Sequence, residues 1–141
     1  MYRLSKEFTF AMGHRLSCHK GACKNFHGHN YKVEVGVKSK KLNDEGMIID
    51  FGNLKGIVNT FLDMMDHALM INDTDHEIAE KMEELLPFIK IIETPFEPTA
   101  ENMAREIYEN VGEKLKEGWD VDIDYVTVYE TDTSKATYSM E

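Results

Sequence analysis

Two cysteines in 141 residues are too few for a disulfide framework. A reducing compartment would keep Cys18 and Cys23 as thiols. No apolar run approaches the roughly 18 residues that a membrane span needs, so no membrane contact is expected. The opening residues "MYRLSKEFTF" lack the charged, apolar and small-residue succession of a secretory leader, and cytoplasm is the expected compartment. There is no internal repeat and no low-complexity tract. Positive charge is scarce: 16 Lys and Arg stand against 26 Asp and Glu, a net charge of −10. An acidic chain of this kind is a poor general binder of nucleic acid.

What is present fits one globular domain spanning residues 1–141 with a modest core, at 42% hydrophobic and 30% charged residues. The charge is uneven. Residues 1–41 hold nine Lys or Arg and two Asp or Glu, for +7; residues 42–141 hold seven and twenty-four, for −17. The basic third also holds most of the histidines. It reads either as a lysine-rich hairpin turn ("KSKK") or as local attraction for an anionic substrate.

Residues 4–12 alternate, with Leu4, Phe8, Phe10 and Met12 on one face and Ser5, Glu7 and Thr9 on the other, as in a half-buried antiparallel strand. Residues 29–38 alternate again, with His29, Tyr31, Val33, Val35 and Val37 together. Asp50 can cap a helix in which Phe51, Leu54, Ile57, Val58, Phe61, Leu62 and Met65 recur at helical spacing. "TDHE" from Thr74 predicts a capping box before a short helix ending near Pro87, and "IKII" a short strand. Thr99 begins a third helix, with Met103, Ile107, Val111 and Leu115 on one stripe and Gly118 as its stop. "VDIDYVTVYE" and "KATYSM" predict a hairpin about "TDTS". The expected fold is α+β: a four-stranded antiparallel sheet with helices on one face. The uncovered face and open edges of such a sheet lead to an expectation of homo-oligomers.

The stretch "CKNFHGHNYKVEV" carries the chemistry. His27 and His29 lie two apart at the head of a strand and so point to the same side, with Gly28 between them. His14, at the end of the strand expected to pair with it, can complete a three-histidine site. Catalytic zinc takes three protein ligands and keeps one position open. Taken alone, H-x-H also reads as a surface pair. Cys23, four residues before His27, reads either as an incidental loop thiol or as a base whose thiolate is favoured beside a cation. Cys18 has no such surroundings beyond His19, and His19 and His76 read as surface residues. Asp66 beside His67 can orient the imidazole and hold its charge, although adjacent Asp–His pairs are common. Glu130 reads as a solvated turn residue or as a carboxylate gripping an amidine-like edge through two parallel hydrogen bonds.

Together these segments resemble the 6-pyruvoyl-tetrahydropterin synthase and 6-carboxy-tetrahydropterin synthase family. "FTFAMGHRL", "CKNFHGHNY", "GMIIDFGNLK", "MDHALMIN", "PTAEN" and "YET" are similar to its motifs, in its order, from residue 8 to residue 131. The resemblance implies a tunnelling fold whose trimers close into a barrel and stack as a homohexamer. It implies zinc on His14, His27 and His29, Cys23 as a general acid or base, and Asp66 and His67 as its partners in proton transfer, meeting at subunit interfaces. It implies Glu130 as the anchor of a pterin ring and 7,8-dihydroneopterin triphosphate as the substrate. Two activities share this set. One eliminates triphosphate and rearranges the side chain. The other also releases acetaldehyde to give 6-carboxy-5,6,7,8-tetrahydropterin, on the way to queuosine and other deazapurines. The four-position step from Cys23 to His27 resembles the bacterial carboxy enzymes, which favours the second. Residues 74–93 are longer than in some relatives. A reading of another class is a non-catalytic protein with a structural zinc, closed by Cys23 or Cys18 as fourth ligand.

Overall fold

The computed structural model describes residues 1–18 and 20–140; His19, read above as a surface residue, lies outside the described residues. Strands β1 (Tyr2–His14) and β2 (His27–Ser39) form a long antiparallel hairpin. Helix α1 (Phe51–Met65) follows, then β3 (Leu69–Asn72), α2 (His76–Leu85), β4 (Ile91–Thr94), α3 (Ala100–Trp119), β5 (Asp122–Tyr129) and β6 (Lys135–Tyr138).

The sheet has six strands in the order β4-β3-β1-β2-β5-β6, not the expected four. It is also mixed. The β1–β2, β2–β5 and β5–β6 pairs are antiparallel, whereas β3 runs parallel to both β1 and β4. The expected strand at "IKII" is present, two residues later, as β4. The strand β3 carried no alternation to reveal it, because Met70, Ile71 and Asn72 are all buried.

The alternating faces of β1 and β2 fall as their sequences require. Phe8, Phe10, Met12, Tyr31, Val33, Val35 and Val37 are buried on one face. Leu54, Val58, Leu62 and Met65 of α1 and Met103, Ile107, Val111 and Leu115 of α3 are buried in the same core. Each fully buried side chain of this size contributes about 1.5–3 kcal/mol. Phe51, on the edge of the α1 stripe, is exposed, and Ile57 and Phe61 are half-buried. The opposite face of the sheet carries Glu7, Thr9, Lys32 and Glu34, with an ion pair of 3.1 Å between Lys32 and Glu7. On that face the Tyr125 ring lies over Gly36, beside an irregularity in the β2–β5 register. A Cβ on Gly36 would come within 2.2 Å of the ring.

The helix ends follow local chemistry. The Asp50 carboxylate accepts from the Gly52 N–H at 2.6 Å and opens α1. Thr99 caps α3 by accepting from the Asn102 N–H at 3.2 Å. Gly118 does not stop α3, which runs on to Trp119 and ends at Asp120, in the left-handed region at φ +53°. The capping box at Thr74 does not form either. Asp73–Asp75 make a short 3-10 turn, and the Asn72 side chain accepts from the Thr74 N–H at 2.9 Å. Asp75, the residue before α2, makes no capping bond, because its carboxylate faces Arg15 at 3.3 Å. Among the described residues no helix is long and apolar enough to cross a membrane.

Candidate functional site

Register builds the histidine cluster. His14 stands directly opposite His27, and Met12 opposite His29, so all three imidazoles leave the hairpin end on the face that carries the core. Their ring centroids are 4.6, 5.1 and 5.1 Å apart. One ligand atom from each lies within 4.8 Å of the others, so the three can hold a single metal ion.

The outer nitrogens are tied. His14 Nδ1 donates to the Pro98 carbonyl at 2.8 Å, and His27 Nδ1 donates to the Asn25 carbonyl at 2.8 Å. A carbonyl only accepts, so both protons sit on Nδ1 and both Nε2 atoms present lone pairs. Those two Nε2 atoms are 3.0 Å apart. Lone pairs at that separation repel unless a proton or a cation lies between them. The third ring adds a buried Nε2 on His29 with no hydrogen-bond partner among the described residues. Carbonyls fixing the ring orientation, inward lone pairs and an orphaned buried nitrogen are the features of a nitrogen-ligand metal site. Three imidazoles suit zinc. Burial pushes His14 below its ordinary value of 6.5, while the Pro98 carbonyl and the charge of Glu130 act against it. The neutral form that a metal requires is favoured.

Glu130 follows the last residue of β5, and its N–H donates to the Ser134 carbonyl at 3.1 Å. Its charge acts on His14 and on the buried Tyr31, whose hydroxyl burial keeps protonated. Tyr129 stands opposite Lys32, on the face away from the core, so Glu130, one residue on, falls on the face of Tyr31 and the histidines. Glu130 lines a cleft of about 300 Å³ with Glu101, Ser134 and Lys135. Cys23 lies half-buried in a 3-10 turn, Ala22–Lys24, in the β1–β2 connection, and its carbonyl accepts from the Leu16 N–H at 2.8 Å. Among the described residues no cysteine sulfur joins the histidine group.

Asp66 and His67 stand elsewhere. One Asp66 oxygen accepts from the Ala11 N–H at 2.9 Å and the other faces His67 Nδ1 at 3.0 Å. The Ala11 N–H first, and then His67, hold the Asp66 carboxyl below its ordinary value of 3.8. His67 adopts φ +60°, its N–H donates to the Ala11 carbonyl at 2.6 Å, and its side chain is 81% exposed. It lines a shallow cleft of about 360 Å³ together with His29, and with Ala11, Gly13, Gly28 and Asn30, which occupy the sheet positions that alternate with the histidines. One chain therefore gathers the three histidines, and His67 stands exposed in a cleft that it shares with one of them, His29.

Cys18 is exposed, and His76 is an exposed residue bonded to Glu93 at 2.7 Å. Of the basic third, Arg3 and Lys38 pair with Asp124 at the hairpin end remote from His14 and His27. The sequence reading missed Glu97. Its carboxylate accepts from the Ser17 N–H at 3.0 Å and from the Ser17 hydroxyl, and its carbonyl accepts from Asn102 Nδ2 at 2.9 Å. Burial would raise this carboxyl, but bonds from Ser17 and Cys18 outweigh it and hold it below its ordinary value of 4.5. These contacts clamp the residue next to Pro98, the carbonyl that orients His14. Only the position of Glu97 beside "PTAEN" could have signalled it.

A family model described as 6-pyruvoyl tetrahydropterin synthase matches residues 3–141. A protein of Haemophilus influenzae named 6-carboxy-5,6,7,8-tetrahydropterin synthase is 38% identical over 98% of this chain and 99% of its own. Two solved structures share the fold at 23% identity. An uncharacterized protein of Wolinella succinogenes superposes with TM-score 0.83 over 99% of this chain and 98% of that one. The 6-pyruvoyl tetrahydropterin synthase of Caenorhabditis elegans superposes with TM-score 0.69 over 99% and 96%.

Proposed function

The chain belongs to the 6-pyruvoyl tetrahydropterin synthase family, and from that premise we propose that it converts 7,8-dihydroneopterin triphosphate into 6-carboxy-5,6,7,8-tetrahydropterin, releasing acetaldehyde and triphosphate. The observation that carries this reading is the set of three converging imidazoles with tied Nδ1 atoms and no cysteine among them. A closed structural zinc site would need a fourth protein ligand. The choice of product rests on the four-residue step from Cys23 to His27 and on the name of the H. influenzae relative.

In this reading His14, His27 and His29 hold zinc, which when bound supplies Lewis-acid polarisation of an oxygen on the substrate side chain. Glu130 grips the pterin ring through two parallel charge-assisted hydrogen bonds and fixes the side chain over the histidines. Cys23 takes or returns a proton at the side-chain carbons from the loop side. His67, oriented by Asp66, serves the opposite side. Its side chain is exposed in the cleft that it shares with His29, open to a neighbouring subunit, which favours an active site shared between subunits of a trimer or hexamer closed into a barrel. The proposed compartment is the cytoplasm.

The family description and the C. elegans structure also favour a second reading, 6-pyruvoyl-tetrahydropterin formation by the same residues. Incubation of the zinc-loaded protein with 7,8-dihydroneopterin triphosphate, with mass identification of the pterin and an acetaldehyde assay, decides. One acetaldehyde per 6-carboxy product is expected. A pterin retaining its three-carbon side chain supports the second reading, and no turnover at all sinks both.

A further inference from the structure

Arg15 follows His14, and its guanidinium is engaged on three sides. Nε donates to the Lys24 carbonyl at 2.8 Å, Nη1 meets Asp75 Oδ1 at 3.3 Å, and the group lies 5.7 Å from the centre of the Phe26 ring. The pair is well shielded, with side chains 18% and 12% exposed. Lys24 is the residue after Cys23, and the Cys23 carbonyl is itself held by the Leu16 N–H. The two ends of the Cys23 loop are therefore cross-tied at adjacent residues. The outer end of the tie is Asp75, in the turn between β3 and α2.

We propose that Asp75 and Arg15 form a brace that positions Cys23 relative to the histidines, so that the β3–α2 segment sets the geometry of a loop some fifty residues away in sequence. Both are positioning residues, since neither touches the histidine group. A planar fork is required: lysine offers a point charge and cannot hold the Lys24 carbonyl and Asp75 in one plane. Asp75 Oδ2 already lacks a partner among the described residues, so loss of Arg15 strips the buried carboxylate of the cation that faces its other oxygen. Arg15→Ala therefore risks the fold, and Asp75→Asn, of nearly the same shape, is the informative change. The inference rests on the reading of Cys23 as a proton-transfer group, but the brace has a readout that does not.

The test is made in the Cys18→Ala background, which removes the exposed competing thiol. The Cys23 alkylation rate by iodoacetamide is read by peptide mass, alongside zinc content, thermal midpoint, kcat and KM, for Asp75→Asn and Arg15→Lys. The brace predicts an altered alkylation rate, by roughly threefold or more, with zinc retained. It also predicts a kcat loss of about 10- to 100-fold with KM within about twofold, the mark of a misplaced reacting group. An unchanged alkylation rate in Asp75→Asn, with only the thermal midpoint lowered, overturns it and leaves a plain stabilising pair. Cys23→Ala is measured beside them. If that variant keeps full turnover, the catalytic reading of Cys23 fails, while the alkylation rate still decides for or against the brace.

Discussion

Replacing His29 by phenylalanine should reverse its effect on stability according to whether metal is supplied. The ring faces Tyr31 at 5.4 Å and His14 at 5.1 Å between centroids, edge to face, and phenylalanine can keep both contacts. What it removes is the buried Nε2, which has no partner among the described residues. An unsatisfied buried polar atom costs about 1–3 kcal/mol. In chelator, His29→Phe should therefore be as stable as the parent or more stable by up to that amount. With zinc the order inverts. A ligand at 100 times its Kd stabilises the state that binds it by about 2.7 kcal/mol. For a chain of this length that raises the thermal midpoint by roughly 5–10 °C. The parent should gain this and the variant, short of one ligand in three, little of it. Urea or thermal unfolding in chelator and in saturating zinc, at one fixed protein concentration, gives all four values. Equal gains from zinc in both proteins would remove His29 from the ligand set. A loss above about 3 kcal/mol in chelator would show that Nε2 is satisfied after all.

Three further outcomes are expected. Cys23→Ala should lose about 10²–10⁴ in turnover and keep its zinc and pterin binding. In the same assays Glu130→Ala should lose affinity along with rate, and Cys18→Ala little of either; loss of zinc from Cys23→Ala would make the cysteine a ligand. Gly36→Ala should cost about 1–3 kcal/mol, because the new Cβ falls 2.2 Å from the Tyr125 ring and the ring must leave its hydrogen bond with Glu34; an unchanged urea midpoint refutes this. Asp66 is held below 3.8, so its contribution to stability is complete above that pH and is lost as pH falls through the lower folded value. Unfolding midpoints of Asp66→Asn and the parent should therefore differ at neutral pH and converge in acid; a constant gap from pH 3 to 7 refutes the assignment.

The long hairpin was legible because each of its strands buries one face and wets the other, which writes a period of two into the chain. The histidine cluster followed from it, since His27 and His29 share a face and His14 ends the paired strand. Strand β3 was hidden because it is short, buried on both sides and parallel to its neighbours, with no turn of its own to mark it. The side on which His67 emerges was hidden with it, since only the docking of β3 against β1 decides that. The end of α3 was misplaced for another reason: glycine is the usual left-handed residue after a helix, but aspartate also tolerates that conformation, and here Asp120 adopts it. The Pro98 and Asn25 carbonyls left no trace, because any residue offers one.

In the proposed reaction, the backbone at His67 would set stability and chemistry against each other. An L-residue held at φ +60° gives up about 1–2 kcal/mol that glycine would not, less what glycine loses through a freer unfolded chain. A library of variants sorted by heat survival should therefore drift toward glycine at this position, and the same library sorted by turnover should return histidine. The divergence should be sharp at His67 and absent at Asp120, where the same conformation serves only to end a helix. Two sorting experiments on one pool would thus read out, residue by residue, where this chain gives up stability in exchange for activity.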